Sequence, residues 1–328
     1  MGSTDKLKTS ISAPDVLRQC RTYLFDCDGV LWDANKLLPG AVDLINYLLE
    51  TDRHVFLITN NSTKSVEQYA EKCCLLGLPV SEKNIICSSN VAAAYLQSKG
   101  ISGPIYVIGH DGVGLELDKC GIKHFGIGPD DPLDNDPLDG IHLDPNTSCV
   151  LVGFDDQFNY RKLLKATSYI ARGIPFFATN EDAQLPAGDT VLPACLVVLL
   201  LFSVIFLVRL YAASSSPPGT GAIVAAVKFA SGKDPIIMGK PHQPTFDMLC
   251  RLHNIEVEKT IMIGDRLDTD IMFGNRFRMH TVCVMTGVTD AELVAKVQSD
   301  PTAVELRPSF TFQSVEDLFE TLRLAERC

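Results

Sequence analysis

The chain has 328 residues, of which 46% are hydrophobic, so it is long enough to bury the core of one large domain or of two. Its formal net charge of −11 argues against the basic surface that nucleic-acid binding requires, and no nucleic-acid partner is predicted. Eleven cysteines without a Cys-x-x-Cys pair, and an amino terminus without the apolar run of a signal peptide, predict reduced thiols in a cytoplasmic protein.

The first predicted strand is the apolar run Tyr23-Leu24-Phe25, which ends in Asp26-Cys27-Asp28-Gly29. In an open α/β sheet, ligands bind at the carboxyl ends of the strands, and residues two apart on an extended chain point to the same side. Two carboxylates this close repel each other unless a cation or a raised pKa relieves the repulsion. The residues alone leave two interpretations open, a solvated turn or a functional pair of carboxylates.

Strands and helices alternate along the rest of the chain. A helix over 41–49 is followed by a strand over 54–58 that ends in Thr59-Asn60-Asn61, then by a helix over 65–76 and a strand over 85–87. The alternation restarts after a junction of small residues at 100–104. Later strands at 236–238 and 260–263 lead into Lys240 and into the run from Asp265 to Asp270. This spacing predicts an α/β fold with a doubly wound parallel-sheet core and a second, inserted α/β domain.

The apolar segment 194–213 does not fit this alternation. No charged residue occurs from Thr190 to Val208, and the length approaches the ~20 apolar residues that span a bilayer. Removing residues 194–217 joins Pro193 to Pro218 through a junction of ordinary length. We interpret 194–217 as an insertion foreign to the fold, arising from a retained intron or a gene-model error. The alternative is that 194–213 is a membrane anchor. Unless this segment is an anchor, no membrane partner is expected.

The polar residues at these strand ends resemble the haloacid dehalogenase (HAD) superfamily of phosphatases. The four matching motifs are Asp26-Cys27-Asp28-Gly29-Val30, Thr59-Asn60-Asn61, Lys240-Pro241 and the run from Gly264 to Asp270. The runs from Phe25 to Trp32 and from Met285 to Val288 resemble more closely the phosphoglycolate phosphatase and pyridoxal phosphatase group, which is 4-nitrophenylphosphatase-like.

The resemblance implies a particular division of the chain. It predicts a HAD Rossmann-like core formed by residues 1–101 and 218–328, a C2-type α/β cap domain formed by 102–193, and the foreign insertion 194–217 between the cap and the second part of the core. Because caps in this group commonly dimerise, a homodimer formed through the cap is also expected.

The resemblance implies a nucleophile, an acid/base and a magnesium site. Asp26 is expected to attack phosphorus and form an aspartyl-phosphate, and Asp28 to protonate the leaving alkoxide and then activate water. Mg²⁺ is expected to be held by Asp26, the backbone carbonyl of Asp28 and Asp265. Asp270 is expected nearby, with a contact to the metal through water.

The resemblance also implies the residues that bind phosphate and select the substrate. Thr59, Asn60 through its backbone amide, Asn61 and Lys240 are expected to hold the phosphoryl oxygens. In the loop 179–186, Leu185 takes the place where pyridoxal phosphatases have histidine and phosphoglycolate phosphatases have leucine. Leucine cannot hydrogen-bond a pyridine substituent, which favours a small phosphorylated acid, 2-phosphoglycolate.

Three alternatives remain at this point. Leu185 could serve only to pack the cap, which leaves pyridoxal 5′-phosphate as a second substrate. The protein could be a catalytically impaired isoform in which the insertion 194–217 disrupts the core. A phosphatase tethered to a membrane through 194–213 is the third alternative.

Overall fold

The computed structural model of the chain describes residues 12–101, 103–130, 141–184 and 218–327. In chain order the strands of this part are β1 (Thr22–Phe25), β2 (Trp32–Asp33), β3 (Lys36–Leu37), β4 (His54–Thr59), β5 (Ile85–Cys87), β6 (Ile105–Ile108), β7 (His124–Phe125), β8 (Cys149–Val152), β9 (Phe176–Ala178), β10 (Ile236–Ile237), β11 (Thr260–Gly264), β12 (His280–Val284) and β13 (Phe310–Phe312). The helices are α1 (Ala13–Gln19), α2 (Ala41–Glu50), α3 (Val66–Leu75), α4 (Ser88–Ser98), α5 (Asp111–Lys119), α6 (Tyr160–Ala171), α7 (Thr220–Ser231), α8 (Gln243–Leu252), α9 (Met272–Arg276), α10 (Ala291–Ser299) and α11 (Val315–Arg327).

A six-stranded sheet with the order β13-β12-β11-β1-β4-β5 forms the first layer, and all its strands run parallel. β1 lies in the centre of this sheet, between β11 and β4, and all of its residues are buried. Tyr23 and Phe25 pack into a core shared with α1, α2, α3 and α11, whereas Leu24 packs on the opposite face with α4, α8 and α9. Helices therefore cover both faces, and the predicted doubly wound parallel core is confirmed.

Because all six strands are parallel, their carboxyl ends lie at one edge of the sheet. β1 ends there at Phe25, β4 at Thr59 and β11 at Gly264. A short antiparallel hairpin of β2 and β3 follows β1 directly at this edge.

A second parallel sheet has the order β10-β9-β8-β6-β7. One of its faces packs against α6 and α7 through Val150, Tyr169 and Val224. Ile105 and Leu151, on the other face, belong to the same apolar cluster as Leu24 of the first sheet. The two sheets thus share part of one core.

The structure differs from the predicted domain division at residue 218. Strand β10 pairs with β9, with Ile236 opposite Phe177, and α7 packs on the second sheet. The stretch 220–237 therefore lies with the second sheet and not with the core to which it was assigned. The local pattern of Ile236-Ile237 predicts a strand, but the choice of sheet is a long-range pairing that this pattern does not contain. The other predicted boundaries stay predictions.

The apolar segment 194–217 lies outside the described residues, as does Leu185. The described residues on the two sides of 185–217 contact each other. Gln184 and Pro218 form an antiparallel bridge, and Gly219 N–H donates to the Ala183 carbonyl at 2.9 Å. No helix in the described part of the chain is long and apolar enough to cross a bilayer.

Candidate active site

Asp26 and Asp28 follow the buried strand β1, as predicted. The Asp26 N–H extends the sheet ladder by donating to the Ile263 carbonyl at 2.8 Å, so the chain leaves the sheet only after Asp26. Gly29 then turns the chain with a φ of +81°, and a Cβ at this position would lie 2.8 Å from Asp265 Oδ2. Only glycine combines this backbone conformation with so close an approach.

Lys240 joins two of the carboxylates. Its Nζ donates to Asp26 Oδ1 at 2.7 Å, to Asp270 Oδ1 at 2.7 Å and to the Ile58 carbonyl at 2.6 Å, which uses all three ammonium protons. Lys240 is buried. Burial disfavours its charge, but Asp26 and Asp270 outweigh this effect and raise the pKa of Lys240, so the side chain is an ammonium.

Asp265 completes an acidic group with Asp26 and Asp270, since one carboxylate oxygen from each lies within 4.8 Å of the others. Asp265 Oδ2 accepts a hydrogen bond from Val288 N–H at 2.8 Å, whereas its Oδ1 is buried and has no partner among the described residues. Burial and the negative charges of Asp26 and Asp270 raise the pKa of Asp265 well above its usual value.

Asp270 is fully buried and contacts Lys240 through Oδ1. Its Oδ2 accepts a hydrogen bond from the Arg266 N–H at 3.1 Å. Burial raises the pKa of Asp270 to about 6, against the lowering effect of Lys240.

This group suits a hard divalent cation. Mg²⁺ prefers oxygen ligands and is bound in proteins by one or two carboxylates. A buried carboxylate oxygen without a partner is costly unless a cation completes its environment, and Asp265 Oδ1 is in that position. The residues present therefore fit the predicted magnesium ion, with Asp26 and Asp265 as ligands.

Asp28 lies beside the acidic group rather than within it. Its Oδ1 accepts a hydrogen bond of 2.9 Å from Trp32 Nε1. Burial raises the pKa of Asp28, opposed by Lys72 and by the Trp32 hydrogen bond.

The predicted phosphate-binding residues Thr59, Asn60 and Asn61 lie at the end of β4, next to Lys240. Thr59 Oγ1 accepts from Asn61 N–H at 3.1 Å, and Asn61 Oδ1 accepts from the Thr63 N–H at 3.0 Å. The Asn60 side chain accepts from Lys240 N–H at 2.7 Å and donates to the Lys240 carbonyl at 3.0 Å. Because that side chain is engaged, the backbone amide is the group of Asn60 that is left for phosphate.

Sequence reasoning missed Asp182, which follows strand β9. Asp182 Oδ1 accepts from Asn60 Nδ2 at 2.9 Å, and Asn180 Nδ2 donates to the Asn60 carbonyl at 2.7 Å. Burial raises the pKa of Asp182. The strand-end rule that selected Thr59 and Asn60 also applies to Asn180 and Asp182, because these residues follow a strand of the second sheet in the same way.

Trp32 and Lys72 were not singled out either. Trp32 is fully buried beside Asp28, and Lys72 Nζ lies 4.2 Å from the centroid of its ring. A tryptophan after a strand is ordinarily a core residue, so the sequence carries no signal for this contact.

Comparison with known proteins identifies the family. A family model described as haloacid dehalogenase-like hydrolase matches residues 23–123, and one described as HAD-hydrolase-like matches 237–318. The chain is 35% identical to glycerol-3-phosphate phosphatase of Gallus gallus, over 95% of each protein. It is 33% identical to chloroplastic phosphoglycolate phosphatase 1A of Arabidopsis thaliana, over 93% of this chain and 78% of the relative.

A solved structure has the same fold. The glycerol phosphate phosphatase of Mycobacterium tuberculosis in complex with magnesium matches with a TM-score of 0.69 and 22% identity, over 94% of this chain and 77% of that one. The chain therefore belongs to the haloacid dehalogenase-like hydrolases and, within them, to the phosphatases, which hydrolyse phosphoric monoesters.

Proposed function

We propose that this phosphatase acts through an aspartyl-phosphate intermediate, an acyl phosphate formed on Asp26, with Asp28 as general acid and base and Mg²⁺ as cofactor. The observation that carries the proposal is the meeting of Asp26, Lys240, Asp265 and Asp270 at one edge of the sheet, with Asp28 beside them. These residues come from the ends of two neighbouring strands, β1 and β11, and from the turn that contains Lys240, and the fold alone brings them together.

In the first half-reaction, an Asp26 carboxylate oxygen bonds to phosphorus while the bond from phosphorus to the leaving oxygen breaks. Asp28 transfers its proton to that oxygen, so the product departs as an alcohol. The raised pKa of Asp28 favours the protonated form that this step needs.

In the second half-reaction, Asp28 takes a proton from water as the water oxygen bonds to phosphorus. The bond between phosphorus and Asp26 then breaks, which returns the Asp26 carboxylate and releases inorganic phosphate. Asp28 is protonated again at the end, ready for the next substrate.

Three other groups support these steps. When bound, Mg²⁺ supplies positive charge that offsets carboxylate repulsion and stabilises the transferring phosphoryl group. Lys240 holds the Asp26 carboxylate in place with a 2.7 Å hydrogen bond and adds a fixed positive charge beside the phosphoryl group. Three residues next to Lys240 donate to the phosphoryl oxygens: Thr59, Asn61, and Asn60 through its backbone amide.

For the substrate we propose 2-phosphoglycolate. Two points support it: the leucine at position 185, and the similarity to phosphoglycolate phosphatase 1A of Arabidopsis thaliana. Glycerol 3-phosphate is the second candidate, because the Gallus gallus relative with that name is 35% identical along nearly the whole chain. Pyridoxal 5′-phosphate is the third compound to compare.

The test is hydrolysis of p-nitrophenyl phosphate, with and without Mg²⁺, by the wild type and by Asp26→Asn. We expect the wild type to depend on the metal and Asp26→Asn to be inactive. Acid quenching of the wild type during turnover should trap a phosphoenzyme that hydroxylamine cleaves. Activity that survives Asp26→Asn would refute Asp26 as the nucleophile. Values of kcat/KM for the three natural esters then rank the substrates.

The competing hypothesis, an isoform impaired by the segment 194–217, has its own test. The full chain and a variant without 194–217 are compared in the same assay. Activity confined to the shortened variant would support impairment, and equal activity would exclude it. Extraction that requires detergent would support the membrane-anchor alternative.

Location and assembly are proposed on structural grounds. The nine cysteines of the described residues are all free, which suits a reducing cytoplasm. Helix α7, which packs on the second sheet, carries Phe229, which is 92% exposed, and the edge strand β10 carries Ile236, which is 48% exposed. We propose that this apolar surface joins two copies through the cap. Light scattering should then give a dimer for the wild type and a monomer for Phe229→Glu.

A further inference from the structure

Asp28 has one hydrogen-bond partner for its carboxyl group among the described residues, and that partner is Trp32. The indole Nε1 lies 2.9 Å from Asp28 Oδ1. Asp28 and Trp32 also form a backbone bridge, within which the N–H of the next residue, Gly29, donates to the Trp32 carbonyl at 2.8 Å. The indole is fully buried, so its position is set by packing rather than by solvent.

Trp32 is itself held from a separate element. Lys72, on α3, places Nζ 4.2 Å from the centroid of the indole ring and donates to the Ala34 carbonyl at 2.7 Å. Ala34 lies in the turn between β2 and β3, so one lysine contacts both the ring and the turn of the same hairpin. A cation over an indole face is the strongest of the cation–π pairs that protein side chains form.

The chemistry of the indole group decides which carboxyl oxygen of Asp28 can carry a proton. Indole N–H donates and cannot accept, so the oxygen that faces it must act as an acceptor. A protonated carboxyl group has one O–H, and its carbonyl oxygen is the better acceptor of the two, so this contact favours the O–H on Oδ2. In the ionised form, the same contact occupies Oδ1 and leaves Oδ2 to receive a proton.

We propose that Trp32 is a positioning residue for phosphoryl transfer, which assigns proton transfer to Asp28 Oδ2 and fixes the rotamer of that carboxyl group. This inference rests on the proposed function. In the first half-reaction the O–H bond at Oδ2 breaks and its proton passes to the leaving oxygen as the P–O bond breaks. In the second, a water O–H bond breaks and its proton returns to Oδ2.

A merely structural role for Trp32 makes a different prediction. Loss of a buried hydrogen bond would then slow all substrates alike or only lower stability. A positioning role affects substrates unequally, because p-nitrophenolate is a stable anion that leaves without a proton, whereas the alkoxide of 2-phosphoglycolate or glycerol 3-phosphate needs one.

The experiment measures single-turnover phosphorylation of Trp32→Phe and wild type, with Mg²⁺, on p-nitrophenyl phosphate and on glycerol 3-phosphate. Phenylalanine keeps an aromatic ring at this position and removes the N–H donor, in a side chain that is smaller than the indole. We expect the rate with glycerol 3-phosphate to fall by about 10- to 100-fold and the rate with p-nitrophenyl phosphate to fall by less than about 3-fold. Equal loss for both esters, or no loss for either, overturns the proposal.

The chain offers a matched control in Tyr23→Phe. Tyr23 is another fully buried aromatic residue, and its hydroxyl donates to the Leu17 carbonyl at 2.5 Å, without contact to Asp28. This variant also loses one buried donor, and we expect its ratio of the two rates to match the wild type. Were Tyr23→Phe to shift the ratio as Trp32→Phe does, the effect would come from general destabilisation and the proposal would fail.

A second readout separates this inference from the proposed function. Asp28→Asn removes the transferable proton directly, so adding Trp32→Phe to it should cause no further loss with glycerol 3-phosphate. An additional loss in the double variant contradicts positioning through Asp28. If Asp26→Asn stayed active, the proposed function would fail first, whatever Trp32→Phe shows.

Discussion

Lys240 Nζ lies 2.7 Å from Asp26 Oδ1, although the two residues are 214 positions apart in the chain. The same ammonium group binds Asp270 at 2.7 Å, so one buried positive charge stands between two carboxylates that follow different strands. Truncating one member of a buried ion pair is far more costly than truncating an exposed one, because the remaining charge stays desolvated. We therefore expect Lys240 to contribute both to the stability of the fold and to the proposed reaction.

Replacing Lys240 by methionine should therefore lower both activity and stability. We expect the metal-free variant to lose about 3–5 kcal/mol of unfolding free energy at neutral pH, because Asp26 and Asp270 are left unpaired. Activity on p-nitrophenyl phosphate should fall by more than about 100-fold. Urea denaturation and initial rates measure the two effects.

Lys162→Met is the control for this variant. Lys162 is also buried and pairs with Asp155 at 2.5 Å, but it lies on α6, against the second sheet. We expect Lys162→Met to lose a similar amount of unfolding free energy but to keep its activity at a low temperature, at which the variant stays folded. Full activity in Lys240→Met would contradict the proposed role of the lysine.

Asp265→Asn should stabilise the metal-free protein at neutral pH and abolish stabilisation by Mg²⁺. The pKa of Asp265 is raised by burial and by its acidic neighbours, so the ionised carboxylate destabilises the fold at a pH above that pKa. The penalty is full above the raised pKa and shrinks as the pH falls from there towards the ordinary pKa of an aspartate, because over that interval the folded state holds a proton that the unfolded state has lost.

The stability difference between Asp265→Asn and the wild type should accordingly shrink as the pH falls. Thermal melting in EDTA across pH 5–8 measures this difference, and subtracting the two curves removes the contributions of the groups they share. A difference that grows on acidification, or Mg²⁺ stabilisation that persists in Asp265→Asn, would contradict the assignment of Asp265 as a metal ligand.

Asn60→Asp should disturb the connection between the loop after β9 and the carboxyl edge of the first sheet. The Asn60 side chain donates to Asp182 at 2.9 Å and accepts from Lys240 N–H at 2.7 Å. An aspartate here loses the donor and places a negative charge beside Asp182. We expect kcat/KM to fall by about 10- to 100-fold.

Asp182→Asn, combined with Asn60→Asp, should restore part of this loss, because the amide at 182 can donate to the new carboxylate. The coupling between neighbouring sites in such cycles is about 0.5–3 kcal/mol. Losses that simply add in the double variant would show that the two side chains act separately.

Deleting residues 194–217 should leave the fold intact. Gln184 and Pro218 already form a bridge, and Gly219 N–H donates to the Ala183 carbonyl at 2.9 Å, so the ends of the surrounding region are joined without the deleted residues. Loop length itself has little effect on stability, about 0.6 kcal/mol for each doubling. Circular dichroism and the melting temperature of the shortened chain test this. Aggregation or loss of cooperative melting would show that the segment belongs to the fold.

Part of the site could be predicted from the sequence because it depends on local order. The alternation of apolar strands and helices predicts a parallel sheet, and parallel strands end at one edge. Residues at or directly after the ends of β1, β4 and β11 therefore had to lie near one another. This rule brought Asp26, Thr59 and Asp265 together as candidates, and the family resemblance supplied their expected roles.

Other parts were decided by the tertiary structure, because they depend on contacts between distant elements. The local pattern of Ile236-Ile237 does not say that β10 joins β9 in the second sheet. The motif that contains Trp32 does not say that its indole nitrogen meets Asp28, nor that Lys72 covers its ring. Strand ends follow from the pattern of hydrophobic residues, whereas side-chain partners follow from packing, which the whole chain determines at once.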